Sequence, residues 1–363
     1  MNVRARDGNR DINISRTRNT MPLRRPTKVT LSTNTAVGIT LRACMNDTKH
    51  NPGKAHTIHR HQQHLSWDNA RHPAVTIAPG ESVDFKDIDA MCGQITAQST
   101  VETLSTIDLD RVNPIAGPVY VDGAEPGDTL KVTLLGFEPS GWGWTGIFPE
   151  FGLLAEDFPN PALHIWSYDP AFTVPAAYGK WARVPLKPFC GTIGVAPAES
   201  GSFSTIPPYA TGGNMDIRDL SEGVELYLPI KVKGALFSIG DPHAAQGDGE
   251  VCGTAIESPM SVTAHIDLIK GGDLRFPRFL CRRPVSRHLD SKGYDVTTGI
   301  GPDLMEASQN AVRGMIDLLG QTQGMSAENA YMLCSVCGDL RISEIVDHPN
   351  WVVSFYLPRV VFE

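Results

Sequence analysis

From His56 onward the chain alternates short apolar runs with turn residues. Ala74-Val-Thr-Ile-Ala stops at Pro79-Gly80-Glu81, and Ser82-Val-Asp-Phe then alternates with period two. Gly117-Pro-Val-Tyr-Val-Asp runs into Gly123-Ala-Glu-Pro-Gly-Asp, after which Thr129-Leu-Lys-Val-Thr-Leu-Leu alternates again. Phe203 to Pro208, Val224 to Val232 and Ser261 to Ile269 repeat the pattern. Runs of this length bounded by Gly, Pro, Asp and Asn predict β-strands joined by tight turns. The stretch from about 140 to 185, rich in tryptophan and proline, reads as a long ordered loop over the sheets.

The last third changes period. Leu304, Ala307, Ala311, Met315, Leu318 and Leu319 fall on one face of a helix, with Asp303 at its start and Gly320 past its end. Ser326 is placed to cap a second helix reaching about Val336, and Trp351-Val-Val-Ser-Phe-Tyr-Leu predicts a closing strand. The expected fold is therefore mainly β, a sandwich- or barrel-like body over 56–270, followed by a smaller α+β portion over 271–363.

Composition supports this plan. The 34 Gly and 27 Pro favour many short elements over long helices. The net charge of −8 argues against non-specific nucleic-acid binding. That charge is uneven: residues 1–30 hold eight basic side chains against Asp7 and Asp11, so the rest carries about −14. Residues 1–55 are basic and poorly periodic, and are expected to form a weakly ordered extension outside the fold. An organellar transit peptide is the competing reading of their Arg-rich start. No run of 18 apolar residues occurs, so no membrane-spanning helix is expected. The seven cysteines are odd in number and scattered, unlike a disulfide framework, and fit a reducing, cytoplasmic compartment. Cys334-x-x-Cys337 stands without a second pair, so it reads as two structural cysteines in a core segment.

Candidate chemistry is concentrated in two segments, Gly212-Gly213-Asn214-Met215-Asp216 and Gly240-Asp241-Pro242-His243-Ala244-Ala245-Gln246-Gly247-Asp248-Gly249-Glu250, the second continuing to Glu257. A third, sparser one is His64-Leu65-Ser66-Trp67-Asp68-Asn69. Any single Asp or Asn beside a glycine commonly just shapes a turn. The density of carboxylate, imidazole and amide groups after the apolar run Ala235-Leu236-Phe237 instead predicts a strand end feeding a polar, metal-binding loop. Neither a Gly-x-Ser-x-Gly elbow nor a phosphate-binding Gly-x-x-x-x-Gly-Lys-Ser/Thr loop is present.

The segments 117–128, 211–216 and 234–250, with His64–Asn69, Thr298-Gly-Ile and Asp303-Leu-Met-Glu-Ala, resemble the acetamidase/formamidase family in collinear order from about His56 to the end. One departure is Glu150, where the family resemblance leads one to expect glycine. The resemblance implies a β-rich fold with an α+β C-terminal part, a homo-oligomer, and hydrolysis of small linear amides such as formamide and acetamide. For that reaction the residue content suggests metal assistance, with zinc as the expected cation. His243 and Asp216 are the first expected ligands, then Asp241 and Glu257. Glu250 is the expected general base, with Asp248 a second catalytic carboxylate, and Asn214 and Gln246 the expected substrate contacts. Trp67, Trp142 and Trp144 are candidate pocket walls. The competing readings are a non-catalytic β-rich module holding a ligand or sugar, and an amidohydrolase for a larger amide or ureido substrate.

Overall fold

The predicted strands close into two stacked sheets in the computed structural model, which describes residues 55–362. The extension expected over 1–55 lies, but for Ala55, outside the described residues. One sheet has six strands in the order Ala55–Ile58, Glu81–Ile88, Met260–Ile269, Thr129–Pro139, Glu225–Pro229 and Arg278–Leu280. Its first pair is parallel and the others antiparallel. The other sheet has seven strands; its centre is Gly212–Asn214, Phe189–Val195, Phe237–His243 and Ile115–Val121, all antiparallel neighbours.

The alternation read from the sequence places Val83, Phe85, Val132 and Ile266 of the first sheet against Val119, Ile193, Phe237 and Ile239 of the second. Phe85 and Phe237 meet edge to face across this core at 6.0 Å. Face-to-face packing of two mainly antiparallel sheets makes the sandwich body. Phe189–Val195 and Phe237–His243 are buried at every position, because the second sheet is covered on both faces. On its outer side Trp67 packs where Gly194 leaves room: a Cβ on Gly194 would stand 3.1 Å from the indole.

A second core joins the body to the C-terminal α+β portion. Helix α1 (Leu304–Gln323) and helix α2 (Ala327–Cys337) pack with the sheet Tyr294–Gly301, Trp351–Pro358, Asp339–Glu344 around Val312, Met315, Tyr331, Leu333 and Phe355. Ala244, Ala245, Val251, Cys252 and Ile256 belong to this same cluster, so the loop after Phe237–His243 is sandwiched between the two cores.

The helix starts follow their caps: Asp303 accepts from the backbone N–H of Met305 and Glu306, and Ser326 from that of Asn329. The end of α1 differs from the sequence reading. The helix passes through Gly320 and stops at Gly324, whose φ of 62° gives the left-handed cap. A glycine inside a helix only weakens it, and one in the left-handed conformation ends it. The supposed loop over 140–185 also differs: it contains the antiparallel hairpin Trp142–Ile147 with Ala162–Ser167 and a second short one. Gly146 takes the position in phase with Trp142 and Trp144, so the apolar alternation breaks off there. Cys334 and Cys337 are unpaired and buried in α2. Among the described residues no helix is long and apolar enough to cross a membrane.

Candidate active site

His243 ends the central strand Phe237–His243, and Asp241 precedes it by two, so both side chains leave the same face. That face looks onto Gly191 of the neighbouring strand. A Cβ on Gly191 would clash with Asp216 Oδ1 and lie 2.7 Å from Asp241 Oδ2 and 3.0 Å from His243 Cε1. The three side chains therefore converge over a position where only glycine leaves them in place. Asp216 arrives from the other direction, just past the strand Gly212–Asn214, pinned by its N–H to the Gly191 carbonyl at 3.2 Å.

Glu257 comes from the far end of the loop. Its backbone pairs with both His243 and Trp144, with Trp144 N–H donating to Glu257 O at 2.8 Å and Glu257 N–H to Trp144 O at 2.9 Å. Trp144 thus serves the site through its main chain, while its ring packs with Ile95 and Leu104. Glu250 sits mid-loop, between Gly249 at φ 110° and Gly253 at φ 88°.

Two overlapping groups of ligand-type atoms result: Asp216, His243 and Glu250, and Asp241, His243 and Glu257, each with its atoms within 4.8 Å of one another. His243 Nε2 lies 3.1 Å from Asp241 Oδ1 and 3.1 Å from Glu257 Oε2. Neither contact has the direction of a hydrogen bond. Both ring nitrogens, Asp216 Oδ1 and Glu257 Oε2 are buried with no hydrogen-bond partner among the described residues. Buried polar atoms are nearly always satisfied, so four orphans converging in one place call for a bound group. Ligand atoms bound at about 2.0–2.2 Å around one tetrahedral cation stand roughly 3.3 Å apart, close to the spacing seen.

The charge balance points the same way. Four carboxylates surround one imidazole. Burial raises the Asp216 carboxyl to about 7, helped by the Asp241 charge. Burial, then Asp216, pushes Glu250 well up, and burial, then Asp241, raises Glu257. Burial alone would lower the His243 pKa, but the Glu257 and Asp241 charges outweigh it and raise it well above the usual value. A cation among these oxygens would stabilise their ionised forms and so offset both the burial and the mutual repulsion that raise the carboxyl pKa values. Cys190, beside this group, is not a candidate nucleophile: burial pushes its thiol far up, and it packs into the sandwich core.

Three of the site residues hold unusual backbones: Asp216, Asp241 and Glu250 have φ of 48°, 56° and 43°. The left-handed region is unfavourable for such side chains and is retained where surroundings fix it, often at functional sites.

The remaining expected residues fall around this centre. Asn214 donates from Nδ2 to Asp216 Oδ2 at 2.9 Å, and its Oδ1 accepts from Thr192 and Asn113. Its amide is thus engaged in holding a carboxylate. Gln246 donates to the Asp216 carbonyl at 2.7 Å, and its buried Oε1 has no hydrogen-bond partner among the described residues. Asp248 points away from both groups and pairs with Arg218, Nε to Oδ1 at 3.2 Å. His64 lies on another strand, holding Ser66 O and Ser238 Oγ, and burial lowers its pKa to about 4. Sequence reasoning missed Gly191 and Thr192; a glycine inside the apolar strand Phe189–Val195 was the available signal of a close approach.

A buried carboxylate–imidazole cluster that could hold a metal ion thus lies at a strand end of a β-sandwich, closed by a glycine-rich loop. The sequence matches the acetamidase/formamidase family over residues 49–201 and 198–363, and the chain belongs to that family. It is 31% identical to an acetamidase of Mycolicibacterium smegmatis over 60% of this chain and 69% of that protein. It is 27% identical to a formamidase of Methylophilus methylotrophus over 83% and 90% of the two. The solved γ-lactamase of Delftia acidovorans superposes with a TM-score of 0.74 at 27% identity, covering 88% of this chain and 91% of that one.

Proposed function

We propose that this protein hydrolyses small linear amides, formamide and acetamide among them, to ammonia and the carboxylate, with a divalent cation, zinc by preference, at the His243 cluster. The observation that carries the metal part is the His243 Nε2 contact, 3.1 Å from two carboxylate oxygens with no hydrogen bond formed to either. One imidazole with several carboxylates suits zinc. His243, Asp216, Asp241 and Glu257 would hold the cation, which supplies Lewis acidity and a lowered pKa for water.

The chain's own residues do the rest. Glu250 is half-buried, as is Asp216, whereas Asp241, His243 and Glu257 are buried, so the approach for substrate is from the Asp216 and Glu250 side. Glu250 accepts a proton from the attacking water and returns it to the departing nitrogen; its raised pKa suits a group that must both take and give. Gln246 offers its unpaired Oε1 to an amide N–H. Asn214 orients Asp216. Asp248 acts through the loop it anchors.

The unpaired cysteines suit a reducing cytoplasmic setting. Exposed Val296, Ile300 and Ile342 on the C-terminal sheet support association into a homo-oligomer. Likeness to the Delftia γ-lactamase favours a second substrate reading, a cyclic amide. Ammonia release from formamide and acetamide, and ring opening of a γ-lactam, measured before and after chelation, separates the readings. Release lost on chelation and restored by zinc is expected. Turnover surviving complete metal removal discards the metal chemistry, and no turnover of any amide by metal-loaded protein favours a binding module.

A further inference from the structure

The two loops that supply Asp216 and Glu250 are rich in glycine and have little regular structure of their own. Gly212 and Gly213 precede the first; Gly247, Gly249 and Gly253 run through the second. Gln246 ties the two loops directly, donating to the Asp216 carbonyl at 2.7 Å, and a second tie comes from outside them. The buried guanidinium of Arg218, two residues beyond Asp216, lies where they meet the C-terminal portion. It holds the fully buried Asp339 carboxylate through Nη2, which donates to Oδ2 at 2.8 Å, while Nη1 forms an ion-pair contact with Oδ1 that lacks the direction of a hydrogen bond. Its Nε reaches Asp248 Oδ1 at 3.2 Å.

Asp339 in turn holds the second loop directly. Asp248 N–H donates to Asp339 Oδ1 at 3.3 Å, and Leu340 N–H to the Asp248 carbonyl at 2.9 Å. Gly247 N–H donates to Ser335 O of α2 at 2.8 Å, and its α-carbon is so close to Gly338 that a Cβ would lie 2.7 Å from the Gly338 nitrogen. Ser335 Oγ accepts from Cys252 N–H at 3.1 Å and donates to Thr254 O at 2.7 Å. The end of α2 and the start of the strand Asp339–Glu344 thus brace the loop on both sides of Glu250.

We propose that Arg218 and Asp339 are a positioning pair that sets Asp216 against Glu250, making the C-terminal α+β portion a working part of the site. The inference rests on the reading of that site as a metal-assisted amidase. A buried ion pair is poor evidence of added stability, since apolar replacements of similar volume are often neutral. Geometry is what this pair provides: a planar guanidinium that faces Asp339 and Asp248 at once, which the single ammonium of Lys cannot reproduce. Misplacing a reacting group by about 1 Å can cost on the order of 100-fold in rate.

The test uses the full chain carrying Arg218→Met with Asp339→Leu, and separately Arg218→Lys. Melting temperature, zinc affinity, kcat on formamide and hydrogen exchange over 212–218 and 244–254 are measured. Expected for the double variant are a near-native melting temperature, faster exchange in both loops, zinc affinity weaker by about 10- to 100-fold, and kcat lower by about 100-fold. Arg218→Lys should fall between it and the wild type. A folded double variant with native loop exchange and native kcat overturns the proposal. If the double variant does not fold, Arg218→Lys decides: slower turnover at native melting temperature supports positioning, and unchanged turnover overturns it. If the wild type neither binds zinc nor releases ammonia, the amidase reading fails by itself, and loop exchange still judges the brace, with native exchange in the variants refuting it.

Discussion

The α-carbon of Gly191 faces the Asp216 carboxylate so closely that a methyl group there would clash with Oδ1. The obstructing atoms are side-chain tips, of Asp216, Asp241 and His243, so the fold can absorb an alanine by moving them. The site cannot. Gly191→Ala is expected to remain folded while losing bound metal and about 100-fold or more in kcat. Metal content by elemental analysis beside ammonia release checks this; a native metal content would show that the convergence over Gly191 is not a ligand set.

His243 is shared by both carboxylate groups. His243→Ala should abolish turnover and lower metal stoichiometry without unfolding the protein. A well-folded variant that still turns over amide removes His243 from the mechanism.

Glu250 is distinguished from a ligand by one substitution. Glu250→Gln keeps the shape but cannot take a proton, so kcat should drop by about 10²–10⁴-fold with metal retained. Loss of metal together with activity would instead make Glu250 a ligand.

The metal-free protein should have a definite pH profile. Asp216 titrates near 7 in the fold, above its unfolded value of 3.8, and Glu250 and Glu257 are raised in the same sense. Stability present below about pH 4 is therefore lost as pH rises toward about 7, because the unfolded carboxylates ionise first. His243, also raised, adds stability that is lost as pH climbs through its elevated folded pKa. Melting temperatures of chelated protein should fall with pH over this range, less steeply in Asp216→Asn, and bound metal should flatten the curve. A chelated protein whose stability rises from pH 4 to 7 contradicts the buried charge balance.

Glu150, the residue standing where the family resemblance suggested glycine, has φ 65° and is exposed. A side chain in that conformation costs about 1–2 kcal/mol. Glu150→Gly is expected to raise stability by about 1 kcal/mol with kcat unchanged, measured by denaturant unfolding and ammonia release. A loss of stability would mean that Glu150 makes up the strain through contacts of its own.

Much of this was legible in the chain itself. Period-two runs marked four strands of the six-stranded sheet because each has one face against the core, as in Glu81–Ile88; Arg278–Leu280, exposed at every position, carried no such run. The caps Asp303 and Ser326 were readable because capping is local. The site segments were visible through their density of carboxylate, imidazole and glycine, which ordinary turns do not need. The hairpin Trp142–Ile147 with Ala162–Ser167 was not legible, since Gly146 interrupts the alternation.

The sequence by itself determined the β-rich order of elements, the helical change of period after 303, and the chemical content of the site. Tertiary structure alone decided which of these groups meet. Asp216, His243 and Glu257 are spread over 42 residues of chain and come together only because strand pairing and the return of the loop stack them over Gly191. Asp248, similar in type and adjacent in sequence to the rest, is turned outward to Arg218. Spacing along a chain fixes which face a side chain leaves from; only the packing of distant segments fixes what it faces.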